Sequence, residues 1–260
     1  MEQQQQQQQL NYLERIAENT RTKTNINLLV SGNTSTINTT YNPPIVLDLK
    51  RKYEIALTSL DTYYSFPNID DSNDTFKYKQ TDGGVGGWKS IKIPTGCYEI
   101  TAINKEIQKK IGGIKTAAII TIKANLNTLK CMLVIKSGYV VDFNVANSLA
   151  TVLGFNKILY QAGSHSSEHI VNILRINSIL VNLDIVTNSY IKGVMSPTIY
   201  NFFPNVSPGV KIVSIPKNLV YLPVTVNTIY CMKVWLTDQD NRPLDLQGEE
   251  VTIRFHLREC

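Results

Sequence analysis

The chain has 260 residues, a hydrophobic fraction of 43% and a formal net charge of +5 at pH 7. Its mean hydropathy of −0.11 fits a globular protein, and no apolar run approaches the roughly 18 residues that span a bilayer, so we expect no membrane contact. The start of the chain lacks the basic and apolar regions of a secretory signal. We therefore expect synthesis in the cytosol, with four reduced cysteines instead of disulfides.

The first predicted element is an N-terminal arm, residues 1–42. Seven consecutive glutamines at positions 3–9 form a low-complexity tract, which predicts disorder. A short amphipathic helix is predicted next, and its apolar side chains are candidate contacts with a partner: Leu10, Leu13 and Ile16. A polar stretch then leads to Pro43, where the globular body, residues 43–259, is expected to begin.

The sequence of the globular body predicts mainly β-strands. Apolar and polar side chains alternate over about nine segments that are separated by Gly, Pro and Asn. Residues 117–123 and 130–136 predict a hairpin, and residues 170–186 predict one bent strand or two joined strands. The last predicted strand, 251–257, alternates strictly, so one of its faces is expected to lie against a core.

Two short helices are predicted between the strands. Residues 100–111 carry isoleucines on one stripe, have Lys109 and Lys110 in the last turn, and stop at Gly112. Residues 146–153 form the second predicted helix. Because strands and helices do not alternate in a βαβ rhythm, the sequence predicts an all-β fold: a single jelly-roll antiparallel β-sandwich with short helices in its crossovers.

Positive charge is concentrated in one segment, residues 88–136, which holds nine lysines against two glutamates. Lysines that neutralise phosphates give nucleic acids a sequence-independent affinity. However, no aromatic residues interleave these lysines, as a base-stacking groove requires. The pattern predicts solvated strand and helix faces, with nucleic-acid contact as the alternative.

Two motifs resemble catalytic or nucleotide-binding sites. His165, Glu168 and His169 fit the H-x-x-E-H string of zinc peptidases, which binds metal only on a helix, but the surrounding glycine and serines predict a loop. The glycines within residues 83–87 lack the strand-to-helix transition of a phosphate-binding loop. The sequence therefore predicts no enzyme activity, no metal site and no cofactor.

An aromatic group lies in a predicted loop and consists of Tyr200, Phe202 and Phe203. One interpretation is that one or two of these side chains close the end of the sandwich. The functional interpretation is a subunit interface, where aromatic residues are enriched.

Three sequence blocks resemble the minor capsid, or penton, proteins of Polinton/Maverick elements and the related adintoviruses. The blocks are Asn147–Phe155, Tyr200–Gly209 with Asn218–Pro223, and Val234–Asp240 with Ile253–Arg258. The resemblance implies a single jelly roll that forms homopentamers at the vertices of an icosahedral virion. It also implies contact with the major capsid protein of the same element, assembly in the host nucleus or cytoplasm, and packaged DNA as a further candidate partner of the lysine-rich segment.

Other functions are compatible with the same residues. One is a non-viral β-sandwich module that binds protein or carbohydrate, and another is a shortened relative of the major capsid proteins. Those major proteins are double jelly rolls, which need far more chain than the body of this sequence supplies. Length therefore favours the penton, and the mass of the purified protein would separate it from a monomeric or dimeric module.

Overall fold

The computed structural model describes residues 4, 6–7, 9–12, 22–82, 86–112, 118–173 and 175–260. Over these ranges the strands, in chain order, are β1 (Asn25–Gly32), β2 (Thr36–Val46), β3 (Tyr53–Tyr63), β4 (Thr75–Gln80), β5 (Lys89–Lys92), β6 (Ile120–Asn125), β7 (Lys130–Ile135), β8 (Tyr139–Asp142), β9 (Leu159–Tyr160), β10 (Gly163–Ser166), β11 (Ile179–Leu183), β12 (Ser189–Ile191), β13 (Val194–Ser196), β14 (Thr198–Phe202), β15 (Lys211–Ser214), β16 (Leu222–Pro223), β17 (Thr228–Asp238) and β18 (Val251–Glu259). The helices with defined bounds are α1 (Ile100–Ile111) and α2 (Ala150–Leu153).

Two sheets built from both ends of the sequence form an antiparallel sandwich. One sheet has the spatial order β1-β18-β3-β15, with β16 also pairing with β3, and the other has the order β14-β11-β17-β2. Along the chain the eight main strands change sheet at every step except from β11 to β14, which is the strand order of a jelly roll with two Greek keys. The predicted fold class, a single jelly roll, is therefore confirmed.

The core of the sandwich depends on period-two strands. Val251, Ile253, Phe255 and Leu257 of β18 are all fully buried, while Arg254 on the opposite face is exposed. β18 pairs with β1 on one side and with β3 on the other. Strict alternation thus predicted this central strand correctly, because a central strand with one buried face shows its period without interruption.

The predicted boundary of the arm at residue 42 is wrong. β1 pairs along its whole length with β18, and β2 pairs with β17. Leu28 and Val30 of β1 and Ile37 of β2 lie in the core. β2 is an edge strand with one wet face, and five of its eleven residues are Thr or Asn, so its composition resembles that of a linker.

A second unit, which we call the insertion unit, occupies residues 67–174 between β3 and β11. Its sheets have the orders β5-β4-β8-β9 and β10-β7-β6, and its core is separate from that of the jelly roll. Aromatic side chains cluster at its centre, where the ring centroids of Phe76, Phe155 and Tyr160 each lie within 5.8 Å of Phe143. The predicted continuous domain 43–259 is therefore wrong: the jelly roll is discontinuous and consists of residues 25–66 and 175–259.

The predicted helix at residues 100–111 is confirmed, whereas the second is shorter than predicted. α1 buries Ile100, Ile103 and Ile107 and ends at Gly112, whose φ is 140°. α2 begins only at Ala150, because the backbone before it bonds to β4: Asn147 O accepts from Thr75 N, and Leu149 N donates to Thr75 O. Both of these helices lie in the insertion unit, which forms the connection from β3 of one sheet to β11 of the other.

The two connections of the insertion unit run side by side. The Asn68 amide donates to the carbonyl of Tyr98 at 2.7 Å and to that of Ile173 at 2.9 Å. Arg175 pairs with Asp70 across the same junction. Ile173 and Arg175 make these cross-connections, and among the described residues of the predicted strand 170–186 only Ile179–Leu183 form a strand.

The two ends of the sandwich differ. At the insertion end, Tyr64 N donates to Val210 O and Leu236 N donates to Ser35 O. At the opposite end, Glu259 N donates to Thr24 O and Cys260 N donates to Lys52 O. The first and last described residues of the sandwich therefore lie together at this end, which we call the terminal end. It is about 30 Å from the insertion unit, which is roughly the length of a nine-residue strand.

Excision of the insertion unit tests its independence. Residues 67–174, expressed alone, are expected to give a soluble, β-rich protein with one cooperative thermal transition, because the unit has its own core and adjacent ends. Circular dichroism and calorimetry would check this. An excised unit that binds hydrophobic dyes and melts without cooperativity would contradict it.

Candidate interaction surface

Exposed apolar side chains concentrate along one flank of the jelly roll, where β14 and β15 are the edge strands of the two sheets. We call this side the β14–β15 flank. Its exposed large apolar residues, including those of the adjoining β12–β13 hairpin and loops, are Tyr190, Val194, Met195, Phe203, Val210, Val213, Ile215, Leu219 and Val220. A free monomer would leave this surface in water, so the flank has the composition of an interaction site.

A groove of about 570 Å³ runs into this flank. The hairpin supplies Tyr190, β14 supplies Tyr200, and the loop after β15 supplies Pro216 and Val220. Leu57 of β3 lies at the floor of the groove. β15 and β16 pair with different parts of β3, so the middle of β3, beside Leu57, has no backbone partner on that side. The interruption between β15 and β16 therefore opens the groove.

The structure separates the three aromatic residues that the sequence grouped. Tyr200 and Phe202 lie on a strand and not in the predicted loop, with ring centroids 6.1 Å apart. Tyr200 is half-buried and its hydroxyl lies 3.1 Å from that of Ser214. Phe202 is 6% exposed and belongs to the core, whereas Phe203 is 65% exposed. The predicted interface role of Phe202 is therefore wrong. Of the three aromatic residues, only Phe203 exposes most of its ring to solvent.

This difference in burial predicts that two adjacent substitutions change the free energy of unfolding by very different amounts. Phe202→Ala should lower the free energy of unfolding by about 3–5 kcal/mol, because it leaves a cavity in the core. Phe203→Ala should change it by less than about 0.5 kcal/mol. Urea denaturation of dilute protein, followed by Trp235 fluorescence in a Trp88→Phe background, would measure both. Equal losses in the two variants would contradict this assignment of the side chains.

A smaller apolar patch lies on the opposite flank, where β1 and β2 are the edge strands. Val46 and Leu49 are each 76% exposed and Tyr230 is 64% exposed. Val46 pairs with Thr228, two residues before Tyr230, and the register of this pair shifts directly after Ile229. The molecule therefore carries different apolar surfaces on its two flanks.

A polar cleft of about 330 Å³ lies between the insertion unit and the jelly roll, lined by Arg175, Gln239 and Arg242, among others. Beside it, the Asp238 carboxylate accepts from Arg242 Nε at 2.7 Å and from Asp240 N at 2.8 Å. Burial by itself raises the pKa of Asp238, but these hydrogen bonds and the Arg242 charge outweigh it, so the pKa is lower than usual. The ionised carboxylate therefore holds the turn between β17 and β18.

Because of Asp238, the free energy of unfolding should depend on pH in the acidic range. Since the pKa of Asp238 is lower in the folded protein than in the unfolded chain, its contribution is present above the unfolded pKa and is lost as pH falls through the folded value. Asp238→Asn should cost about 1–3 kcal/mol at pH 7 and reduce the loss of stability between neutral and acidic pH. Urea midpoints across that range would test this, with Glu249→Gln, an exposed carboxylate in the same loop, as the matched control.

The zinc-like string is split between a strand and a loop. His165 lies in β10, and its Nε2 is 2.8 Å from Gln161 O. Glu168 accepts from the Tyr160 hydroxyl at 2.9 Å and from Asn156 N at 2.9 Å, while burial and this carboxylate raise the pKa of Tyr160 to about 12. Glu168 thus fastens one loop to its neighbour. In the described ranges, His, Cys, Asp and Glu side chains form no group of three that could hold a metal ion.

The described residues of the lysine-rich segment lie in the insertion unit, and the lysines named below lie on different elements of it. Lys123 lies on the outer face of the β6–β7 sheet, and Lys109 lies on α1. Lys92 of β5 pairs with Asp71 at 2.9 Å and with Asp74 at 3.3 Å, and Lys115 lies outside the described residues. Contact with nucleic acid stays a prediction.

The predicted arm contacts are described only in part. Leu10 is helical and 52% exposed, while Leu13 and Ile16 lie outside the described residues. Among the helices of the described ranges, none has the length and apolar character needed to cross a membrane.

Comparison with known proteins gives likenesses of structure. No family model and no curated protein sequence matches the chain. The mavirus penton protein aligns over 91% of this chain and 100% of its own, at 9% identity and a TM-score of 0.49. A chain in the cryo-electron-microscopy structure of the Sputnik virophage aligns over 91% of this chain and 98% of its own, at 12% identity and a TM-score of 0.41. With TM-scores below one half, these likenesses carry no argument about function.

Proposed function

We propose that this protein is a structural, non-enzymatic capsid protein that forms a pentameric ring at the vertices of an icosahedral virion. The observation that carries the proposal is the β14–β15 flank, whose exposed apolar side chains and open groove are more than a free monomer would keep in water. A second apolar patch on the opposite flank supplies the other half of a head-to-tail contact.

The arrangement of the two flanks favours a ring over a symmetric pair. In a twofold dimer the same patch meets itself, whereas a cyclic ring repeats one contact between two different patches. β14 and β15 lie at one side of both sheets, and β2 and β1 lie at the other. Two unlike apolar surfaces on opposite sides of one subunit therefore support heterologous assembly, which a fivefold rotation closes.

The sequence resemblance to Polinton/Maverick and adintovirus pentons supports the same function from a different direction. Its second and third blocks lie mainly in β14, β17 and β18 and in the loop before β16, which belong to the jelly roll. The first block, Asn147–Phe155, contains α2 and lies in the insertion unit. The resemblance thus involves both units, although its strongest part is in the sandwich.

The proposed partners follow from the two ends of the subunit. The N-terminal arm, with Leu10, Leu13 and Ile16 as contact residues, would bind the major capsid protein of the same element. Because the described chain enters the sandwich beside Glu259, the arm would leave at the terminal end, away from the insertion unit. Packaged DNA stays a candidate partner of residues 88–136.

The mass of the assembled protein tests this function. At high protein concentration, light scattering should give five chains of 29.2 kDa each. Val213→Asp, on the exposed face of β15 directly opposite Asp61, should give folded monomers, because a second carboxylate at this position would be buried without a partner in an apolar contact.

The matched control for this substitution is Leu126→Asp, at an 82% exposed position of the insertion unit, which should leave the ring intact. A wild-type trimer, or a monomer that persists at high concentration, would overturn the proposal. A wild-type monomer or dimer would favour the alternative of a β-sandwich binding module.

A further inference from the structure

The outer face of β18 carries a row of basic side chains. Every second residue of this strand points away from the core, and three of these in succession are Arg254, His256 and Arg258. Successive positions on one face of a strand are about 7 Å apart. The core needs only the apolar face of β18, so an uncharged residue such as Thr252 serves equally well on the outer face. Packing of the sandwich therefore does not account for this row.

Two lysines extend the row onto the neighbouring strands. Arg258 pairs with Asn25 of β1 and with Glu54 of β3. Lys23 and Lys52 lie two residues before these partners, so the period of two places them on the same face as Arg258. Both are exposed, and since β18 lies between β1 and β3 their backbones are about 10 Å apart. We call the whole set the basic face: Lys23, Lys52, Arg254, His256 and Arg258.

Carboxylates balance only part of the charge on the basic face. Glu54 accepts from Arg258 Nε at 2.6 Å. In the part of the chain that the structure describes, Lys23, Lys52 and Arg254 have no acidic side chain at ion-pair distance. The α-carboxylate of the last residue lies in the row of the two lysines and offsets one charge. The face as a whole stays positive.

The turn before β3 leaves this excess unchanged. Lys50 and Arg51 equal Asp48 and Glu259 in number, and Arg51 Nε lies 3.9 Å from the Asp48 carboxylate and 3.8 Å from that of Glu259. The turn is therefore neutral, and the positive charge of the adjoining sheet face is available to an external anion.

The uncharged residues of the basic face also suit phosphate. Asn25, Asn27 and Ser59 pair directly with the three basic residues of β18. In protein–DNA complexes, Asn and Ser join Arg and Lys in donating hydrogen bonds to phosphate and sugar oxygens. Leu29, 59% exposed, is an apolar exception, and Asp61 ends the face toward the insertion unit. This composition fits a nucleic-acid backbone and contains nothing that selects a sequence.

Base stacking is not a feature of this face. The guanidinium of Arg258 lies over the ring of Tyr221, 3.5 Å from its centroid, and the Tyr221 hydroxyl lies 2.7 Å from His256 Nδ1. Tyr221 is thus engaged within the protein, whereas proteins that bind single strands offer open aromatic rings to the bases. The surface therefore favours the phosphates of a duplex.

We infer that the basic face binds the phosphates of double-stranded DNA without regard to sequence, through Lys23, Lys52 and Arg254. The inference rests on the proposed function only where it identifies this DNA as the packaged genome. It places the contact at the terminal end, where the N-terminal arm leaves the sandwich, and not in residues 88–136. A ring repeats the face on each subunit, so contacts that are weak singly add together.

Duplex binding by a charge-depleted variant tests the inference. The triple variant Lys23→Gln, Lys52→Gln and Arg254→Gln should bind a labelled duplex of mixed sequence at least about tenfold more weakly at moderate salt. Because three phosphate contacts are lost, the slope of log affinity against log salt should fall by about 2–3. Fluorescence anisotropy would measure both quantities.

The matched control removes the same charge from the insertion unit. Lys105→Gln, Lys110→Gln and Lys123→Gln change exposed lysines of the segment 88–136 and should alter the affinity by less than about threefold, because distant charges are screened. All six positions are exposed, so both variants should unfold at the wild-type temperature. Equal losses of affinity in the two variants would overturn the inference.

Chemical protection gives a second, local measurement. Bound duplex should slow acetylation of Lys23 and Lys52, measured by mass spectrometry, and leave Lys105, Lys110 and Lys123 unchanged. Protection confined to the insertion unit would return the contact to residues 88–136 and overturn the inference.

The choice of probe separates the remaining outcomes. Tighter binding of polyglutamate or of a single strand than of the duplex, at equal concentrations of charge, would replace duplex DNA by another partner and overturn the inference. Wild-type rings that bind no duplex would overturn it while leaving the proposed function standing. Duplex binding through the basic face by a protein that forms no rings would support the inference and overturn the proposed function.

Discussion

The arrangement of the whole molecule depends on the packing of β18 between β1 and β3. Four fully buried side chains of β18 face the second sheet, and its backbone bonds to β1 and β3, which lie about two hundred residues earlier in the sequence. With that strand in place, the edges of the sandwich are fixed as β14 with β15 on one side and β2 with β1 on the other. The exposed flanks, the groove beside β14 and the two ends of the subunit all follow from this pairing.

The division of the protein into two units has a simple physical basis. Asn68 bridges the two connections of the insertion unit, and Arg175 pairs with Asp70 beside it, so the unit joins the sandwich through a narrow junction. A separate core lets it vary without disturbing the sheets of the jelly roll. The surfaces proposed for assembly lie on the flanks, while most of the net charge of +5 lies in the insertion unit, which has 12 basic and 8 acidic residues.

Sequence patterns predicted the elements whose period was uninterrupted. The stripe of isoleucines located α1 between its correct ends, and the alternation in β18 identified a half-buried strand, because in both cases burial falls on one face only. Edge strand β2 was missed, since its wet face is rich in Thr and Asn. The discontinuity of the jelly roll was also missed, because local periodicity does not report which distant strands pair.

The candidate site could be predicted only in part, for a related reason. Tyr200, Phe202 and Phe203 were grouped by proximity in sequence, yet a strand turns neighbouring side chains to opposite faces, and Phe202 points into the core. The pairing of Val181 with Tyr200 and of Ile179 with Phe202, which decides this, is a property of the assembled sheet. Patches made from residues as distant as Val46 and Tyr230 leave no local signal in the sequence.

The discontinuous jelly roll also sets an order of events during synthesis. All the strands of the insertion unit pair with one another within residues 75–166, so this unit can fold while the ribosome is still making β11. The sandwich must wait, because β1 and β3 need β18 as their common neighbour, and closing so long a loop is slow. Until then β1, β2 and β3 have unpaired edges. The nascent chain therefore depends on its flanking polar residues, and on chaperones where present, to avoid aggregation.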